Sequence, residues 1–335
     1  MLTTPLCHQL GIDYPIFSVG MGALAGPTLA AAVSNAGGCG VLGRVSGAPA
    51  SHLREQIQYL RTLTDKPFGV NIILATLQEG YIEACLESQV PLLVLFWGDP
   101  GPYVQEAHRR GIQVYIQVGS VQEAIAAAEA GIDAIIAQGM EAGGHVKGTT
   151  ALSTLVPAVV EAVAPVPVIA AGGIATGRGL VAALSLGAQA VSLGTRFLCS
   201  EEAHADPQYK ARVVQSTATD TVYATLFDLG WADAPHRVLR NKVVAEWEAA
   251  GRPPSGQRPG EGHIIGSVPR GETTVDLVRY SARSYPLPGF KGDLEYAVLY
   301  AGESCGLIQD IKPAAQLVRD LVREAEGVIE QLPRR

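Results

Sequence analysis

The feature that most constrains this chain is a rhythm of eight short, almost continuously apolar runs. They are Pro15 to Met21, Cys39 to Gly43, Phe68 to Leu74, Pro91 to Gly98, Gln113 to Val118, Asp133 to Gly139, Val166 to Gly173 and Ala190 to Thr195. A strand with one wet face alternates polar and apolar residues. These runs do not alternate, so both faces need cover, as in a parallel sheet. Between them lie Ala-rich segments of helical period: Thr28 to Ala36, Ser120 to Ala130, Ser153 to Val163 and Gly177 to Leu186. Several stop at a glycine just before the next strand (Gly37, Gly111, Gly131, Gly187), the residue that takes the left-handed helix-ending conformation at least cost. Repeated βα units fit a closed barrel or a doubly wound open sheet. Eight is the closing number of the barrel, so the predicted fold is α/β, a (β/α)8 TIM barrel spanning residues 1–205.

After Thr195 the rhythm ends. Residues 206–294 read as a smaller inserted, partly helical lid domain, with a polar helical stretch over Pro235 to Ala250 and a Pro/Gly-rich loop from Gly251 to Gly260. Residues 295–335 return to the barrel through an amphipathic helix. Pro313 suits its first turn, and Leu317, Val318, Leu321, Val322, Ala325, Val328, Ile329 and Leu332 share one face.

Composition narrows the function. A formal net charge of -7 without a long basic cluster argues against nucleic acid. Met1 to Tyr14 lack a basic start followed by an apolar segment, and no membrane-length apolar run occurs, so a cytoplasmic protein is expected. Five separated cysteines suggest packed, reduced thiols rather than a disulfide framework. Seven histidines without H-x-x-x-H or H-E-x-x-H spacing give no metal site.

Barrel enzymes carry their chemistry on loops after the C-terminal strand ends. Two such loops are glycine-bearing: Ala170 to Ala175, containing Gly172 and Gly173, and Ser192-Leu193-Gly194-Thr195-Arg196. Bare backbone following the seventh and eighth strands suits a phosphate. After the sixth strand comes Gln138 to His145. There Gly143 and Gly144 leave His145 unshielded, and an ordinary imidazole pKa of about 6.5 makes it the candidate general base. Asn71, a polar amide in an apolar strand, needs a partner: a ligand ring edge or a neighbouring strand's backbone. The loop containing Met21, Gly22 and Ala23 has a dinucleotide-loop look. However, Gly43-Arg44-Val45 stands where the ribose-binding acid belongs, so it reads as a wall of the barrel mouth with Met21 against the ligand. Lys147 and Arg196 are either counter-charges to a phosphate or solvated surface residues.

With these residues placed, the chain resembles the nitronate monooxygenase family, formerly called 2-nitropropane dioxygenases, and the related flavin-dependent enoyl-acyl-carrier-protein reductases. The matching stretches are Pro15 to Gly22, Ala36 to Gly40, Lys66 to Asn71, Gln138 to His145, Ala170 to Ile174 and Gly194 to Phe197. The resemblance implies FMN. Met21, Gly22 and Asn71 would lie near its ring, Gln138 and Gly143 at the ring edge, and Gly173, Ser192, Leu193, Gly194 and Thr195 around its phosphate, with Ala23, Gly144 and Gly172 also among the cofactor-binding residues. It further implies His145 as catalytic base in oxidation of a nitronate, or of a nitroalkane it deprotonates, with oxygen giving a carbonyl compound and nitrite. One departure stands out, because many relatives have Ala-Gly-Gln where this chain reads Ala301-Gly302-Glu303. A carboxylate beside the flavin would oppose an anionic substrate unless protonated or turned away. The alternatives are an NAD(P)H-dependent reductase of enoyl thioesters or quinones and a non-redox sugar-phosphate lyase, isomerase or binding module. A homodimer is compatible with all three.

Overall fold

The computed structural model describes residues 2–271 and 273–332. Eight parallel strands form one sheet: β1 (Ile16–Ser18), β2 (Gly40–Gly43), β3 (Phe68–Ile73), β4 (Leu92–Phe96), β5 (Gln113–Val118), β6 (Ala134–Gln138), β7 (Val168–Ala171) and β8 (Ala190–Leu193). Each strand from β2 to β8 pairs with its sequence neighbour among the eight, and β8 pairs with β1 through Ile16↔Val191. The seam between β1 and β2 is a single bridge, Phe17↔Cys39, reinforced by Cys39 N–H donating to Ile16 O at 2.9 Å. There Ser18 Oγ accepts from Val41 N–H at 2.9 Å, a side chain doing what the short ladder does not. The sheet is a closed barrel, as the eightfold rhythm predicts.

Most strands are buried throughout because they pack on both faces. Inward residues such as Phe17, Val41, Val94, Tyr115, Ile136 and Ile169 fill the barrel, and helix α1 (Pro5–Leu10) plugs its lower end with Leu6, Cys7 and Leu10. Outward residues pack under α2 (Pro27–Asn35), α3 (Ala50–Leu63), α4 (Tyr81–Glu87), α5 (Gly101–Arg109), α6 (Val121–Glu129), α7 (Leu152–Val163) and α8 (Gly177–Ser185). The helix-stopping glycines all have positive φ: Gly37 at 92°, Gly111 at 72°, Gly131 at 84° and Gly187 at 97°. All five cysteines are free and buried.

The chain leaves β8 through α9 (Thr195–Leu198) and α10 (Pro207–Val214). It then builds β9 (Thr221–Ala224), β10 (His236–Leu239), α11 (Lys242–Ala249) and the antiparallel pair β11 (Ile264–Arg270) and β12 (Thr273–Val278). One expectation needs correction here. The start of Pro235 to Ala250, His236–Leu239, is strand, because β10 is held between β9 and the barrel-mouth residues Gly144–His145. Tertiary pairing overrides helical propensity. The loop over residues 251–260 is anchored: Arg258 is buried, bonds Asp228 and Glu261, and lies 4.5 Å from the centre of the Tyr280 ring.

Helix α12 (Ala314–Gln331) packs between α8 and α2, filling the place of the eighth barrel helix. Pro313 sits one residue before its first turn. Leu317, Val318, Leu321, Val322 and Ala325 are buried, while Ile329 and Leu332, expected on the same face, are exposed. Among the described residues no helix is long and apolar enough to cross a membrane.

Candidate active site

A cavity opens at the C-terminal mouth of the barrel. Its floor and walls come from the end of every strand or the loop after it, from Val19 after β1 round to Ser192 on β8. Of the residues singled out in the sequence, Met21, Gly22, Asn71, Gln138, Gly143, Gly144, His145, Gly172, Gly173, Ser192, Gly194 and Thr195 all line it. Two do not. Leu193 points its side chain into the core beneath the helices, and Ala23 sits just behind the wall, its N–H donating to Tyr285 Oη at 3.4 Å.

The glycines have distinct reasons. Gly172 and Gly173 turn the chain out of β7 with φ of 105° and 70°, a conformation costly for other residues, and so bring bare backbone to the cavity just before Thr176 caps α8. Gly143 is dictated by packing: a Cβ there would lie 2.3 Å from Gly302 N.

Asn71 answers both halves of its sequence question, lining the cavity while its Nδ2 donates to Val94 O at 3.1 Å. Gln138 Nε2 donates to His145 O at 3.0 Å, and its Oε1 is buried without a partner among the described residues. Gly144 and His145 form a two-residue strand against Arg237 and His236 of β10, and Val146 N–H donates to Pro235 O at 2.9 Å. The histidine loop is thus held from the barrel by Gln138 and from the inserted segment by β10.

Around the His145 ring stand four others. Trp231 stacks on it at 4.0 Å between centroids with 27° between planes, Tyr300 lies at 5.5 Å, His236 at 5.6 Å and Trp97 at 6.3 Å. His145 Nε2 is buried with no partner among the described residues. Removal from water disfavours the imidazolium, so its pKa falls from 6.5 to about 3, with a smaller contribution from His236. The near-neutral value expected from sequence is corrected accordingly. His236 is a different case: Nε2 accepts from Phe227 N–H at 3.1 Å and Nδ1 lies 3.0 Å from Ala234 O. Both nitrogens are used, and burial again lowers the pKa, to about 4.

Three charged residues resolve differently from the sequence reading. Lys147 pairs with Glu123, and Arg196 is buried against Asp310 and the Cys199 carbonyl, so neither faces the glycine loops. Glu303 turns to the buried Arg237, 3.1 Å away, which also donates twice to Met140 O. The carboxylate is turned away from the cavity.

Sequence reasoning missed the upper wall: Trp231, Arg283, Tyr285, Tyr300 and Ser304. Rarity was the one available signal, since the chain has three tryptophans and Trp97 and Trp231 both border His145.

The family model described as nitronate monooxygenase matches residues 3–91 and 74–324. The (3aS,4S,5R,7aS)-5-hydroxy-7a-methyl-1-oxo-octahydro-1H-indene-4-carboxyl-CoA dehydrogenase of Mycobacterium tuberculosis is 37% identical over 254 residues, covering 75% of this chain and 70% of that protein. A probable nitronate monooxygenase of Staphylococcus saprophyticus is 30% identical across 98% of this chain and 99% of its own length. The solved structure of FabK from Thermotoga maritima superposes with a TM-score of 0.81 at 36% identity, covering 99% of both chains.

Proposed function

The chain belongs to the nitronate monooxygenase family, whose members are oxidoreductases, and on that premise we propose that it binds FMN across the barrel mouth and oxidises alkyl nitronates with molecular oxygen to carbonyl compounds and nitrite. The observation that carries the reading is a pair of buried cavity-lining atoms with no partner among the described residues, Gln138 Oε1 and His145 Nε2. Buried polar atoms are nearly always bonded, so both await a ligand. Gln138 Oε1 accepts, and a flavin ring edge offers an N–H. Gly172, Gly173, Gly194 and Thr195, beside the start of α8, suit its phosphate. Met21 and Asn71 would flank the ring. When bound, the flavin takes electrons from the substrate and passes them to oxygen.

His145 is the group that handles the proton. Its depressed pKa corresponds to about 5 kcal/mol against the imidazolium, so abstracting a proton from a neutral nitroalkane bears that cost. A nitronate, already deprotonated, avoids it. The same carbanion placed beside the ring favours the imidazolium as hydrogen-bond donor, and Glu303, held by Arg237, does not oppose it. Nitronates therefore rank ahead of nitroalkanes as substrates. The inserted residues 206–294 act as a lid that supplies Trp231 and Tyr285 to the substrate half of the cavity.

The test is oxygen uptake and nitrite release on adding ethyl nitronate or propionate 3-nitronate to FMN-loaded protein. Absence of both uptake and anaerobic flavin bleaching rejects the proposal.

A further inference from the structure

A second cavity, of about 280 Å³, lies beside the first at the same end of the barrel. It is bounded by the turn after β4, the end of β5, helix α6 and Lys147 of the histidine loop, and Gln117 of β5 borders both spaces. One large side chain stands between them. Trp97 lines the second cavity, and its indole lies 6.3 Å from the ring of His145 and 5.1 Å from that of Trp231, both of which line the first.

The place of that indole is imposed by the backbone. Trp97 has a φ of 61°, a left-handed conformation that is an outlier for a bulky residue. The residue after it has to be glycine, because a Cβ on Gly98 would lie 2.5 Å from Leu74 Cβ. Phe96 meets the indole edge-on at 5.1 Å, and Lys147 Nζ lies 5.9 Å from its centre. Strain of this kind persists only where the surroundings over-determine it, and it clusters at functional sites.

The space behind the indole is apolar. Pro100, Ile116, Val118, Ala126 and Ala127 wall it, and its charged groups are engaged elsewhere. Glu123 pairs with Lys147 and accepts from Gly119 N–H, and Asp99 accepts from Gly101 N–H at 2.9 Å. Two acids against one base offer an anion no attraction. The cavity therefore suits an uncharged hydrocarbon group rather than the reacting end of a nitronate or released nitrite.

We propose that Trp97 is the specificity-determining residue of this site: its indole shuts the second cavity off from the space beside His145 and so limits the size of the substituent on the reacting carbon. Opening the partition lets the cavity take a longer alkyl chain. The proposal rests on the nitronate reading for its substrate, so binding is measured apart from turnover.

Two series on FMN-loaded protein test it: kcat/KM for linear nitronates from ethyl to hexyl, and calorimetric Kd for linear carboxylates from propanoate to heptanoate, planar anions that are not oxidised. Trp97→Gly removes the ring and suits the left-handed backbone. A buried methylene is worth roughly fourfold, so the four added across either series set a ceiling on the order of 200-fold. Trp97→Gly should raise the long-to-short ratio at least roughly tenfold in both series. Trp97→Phe, which keeps a smaller ring, should raise it about twofold or more, and it decides the matter alone if the glycine variant does not fold. Adding Ala126→Phe on the exposed face of α6 refills the cavity and should return both ratios towards wild type. Ratios unchanged by loss of the indole, or a rise that Ala126→Phe does not reverse, overturn the proposal. If no nitronate is turned over while the carboxylate ratio responds, the nitronate reading fails and the partition stands.

Discussion

Trp231→Ala tests the physical claim on which the chemistry of His145 depends. The indole is the nearest of the rings around the imidazole, and it reaches the site from a turn of the inserted segment, between Gly230 at φ 91° and Asp233 at φ 54°. Removing it opens the stacked face to water while leaving Gln138 and β10 to hold the loop. Burial lowers the imidazole pKa from 6.5 to about 3. If one stacked face carries roughly a third of that desolvation, the substitution returns roughly one pKa unit, about 1.4 kcal/mol. The measurement is the pH dependence of the His145 ring signals by NMR in histidine-labelled protein, assigned with His145→Gln. With a nitroalkane as substrate, the acid limb of kcat/KM should move to higher pH by the same amount, since the base must be neutral to act. Trp231→Phe should shift it less. A wild-type pKa near the ordinary value, or a Trp231→Ala pKa unmoved within about 0.3 units, refutes the argument from burial.

The two depressed histidines also predict acid sensitivity. Unfolding lets each regain its ordinary pKa, so the unfolded chain binds more protons, and stability present above about pH 6.5 is lost as pH falls towards the folded values of about 3 and 4. At pH 5 the loss is about 2 kcal/mol for each, measured as urea midpoints against pH, and His236→Gln should flatten the slope. Gly173→Ala forces a side chain onto φ 70° and should cost about 1 kcal/mol together with a weaker grip on FMN, read as cofactor content after dialysis. Glu303→Gln should leave KM for nitronates within about twofold, because the carboxylate faces Arg237; a large fall in KM would place its charge in the cavity.

Much of the barrel was legible because its strands are buried on both faces, and continuous hydrophobicity is a local record of that burial. The helix-stopping glycines are similar: a left-handed residue is a one-residue decision, visible without neighbours. The same holds for the lower half of the candidate site. Asn71 and Gln138 lie in the C-terminal halves of β3 and β6, and His145 and the glycine loops lie in the connections after β6, β7 and β8, so strand number fixes where they meet.

What sequence alone left undecided is everything that depends on contact between distant segments. His236 to Leu239 is a strand because Thr221–Ala224 on one side and Gly144–His145 on the other offer it edges. Glu303 is harmless to an anion only because Arg237 stands 3.1 Å away. The His145 pKa is set by burial among Trp97, Trp231, His236 and Tyr300, which approach from three separate parts of the chain. Periodicity encodes which face of an element is covered; the solvent exposure of one nitrogen and the partner of one carboxylate are properties of the assembled tertiary structure, where desolvation and charge are summed over neighbours the local pattern does not specify.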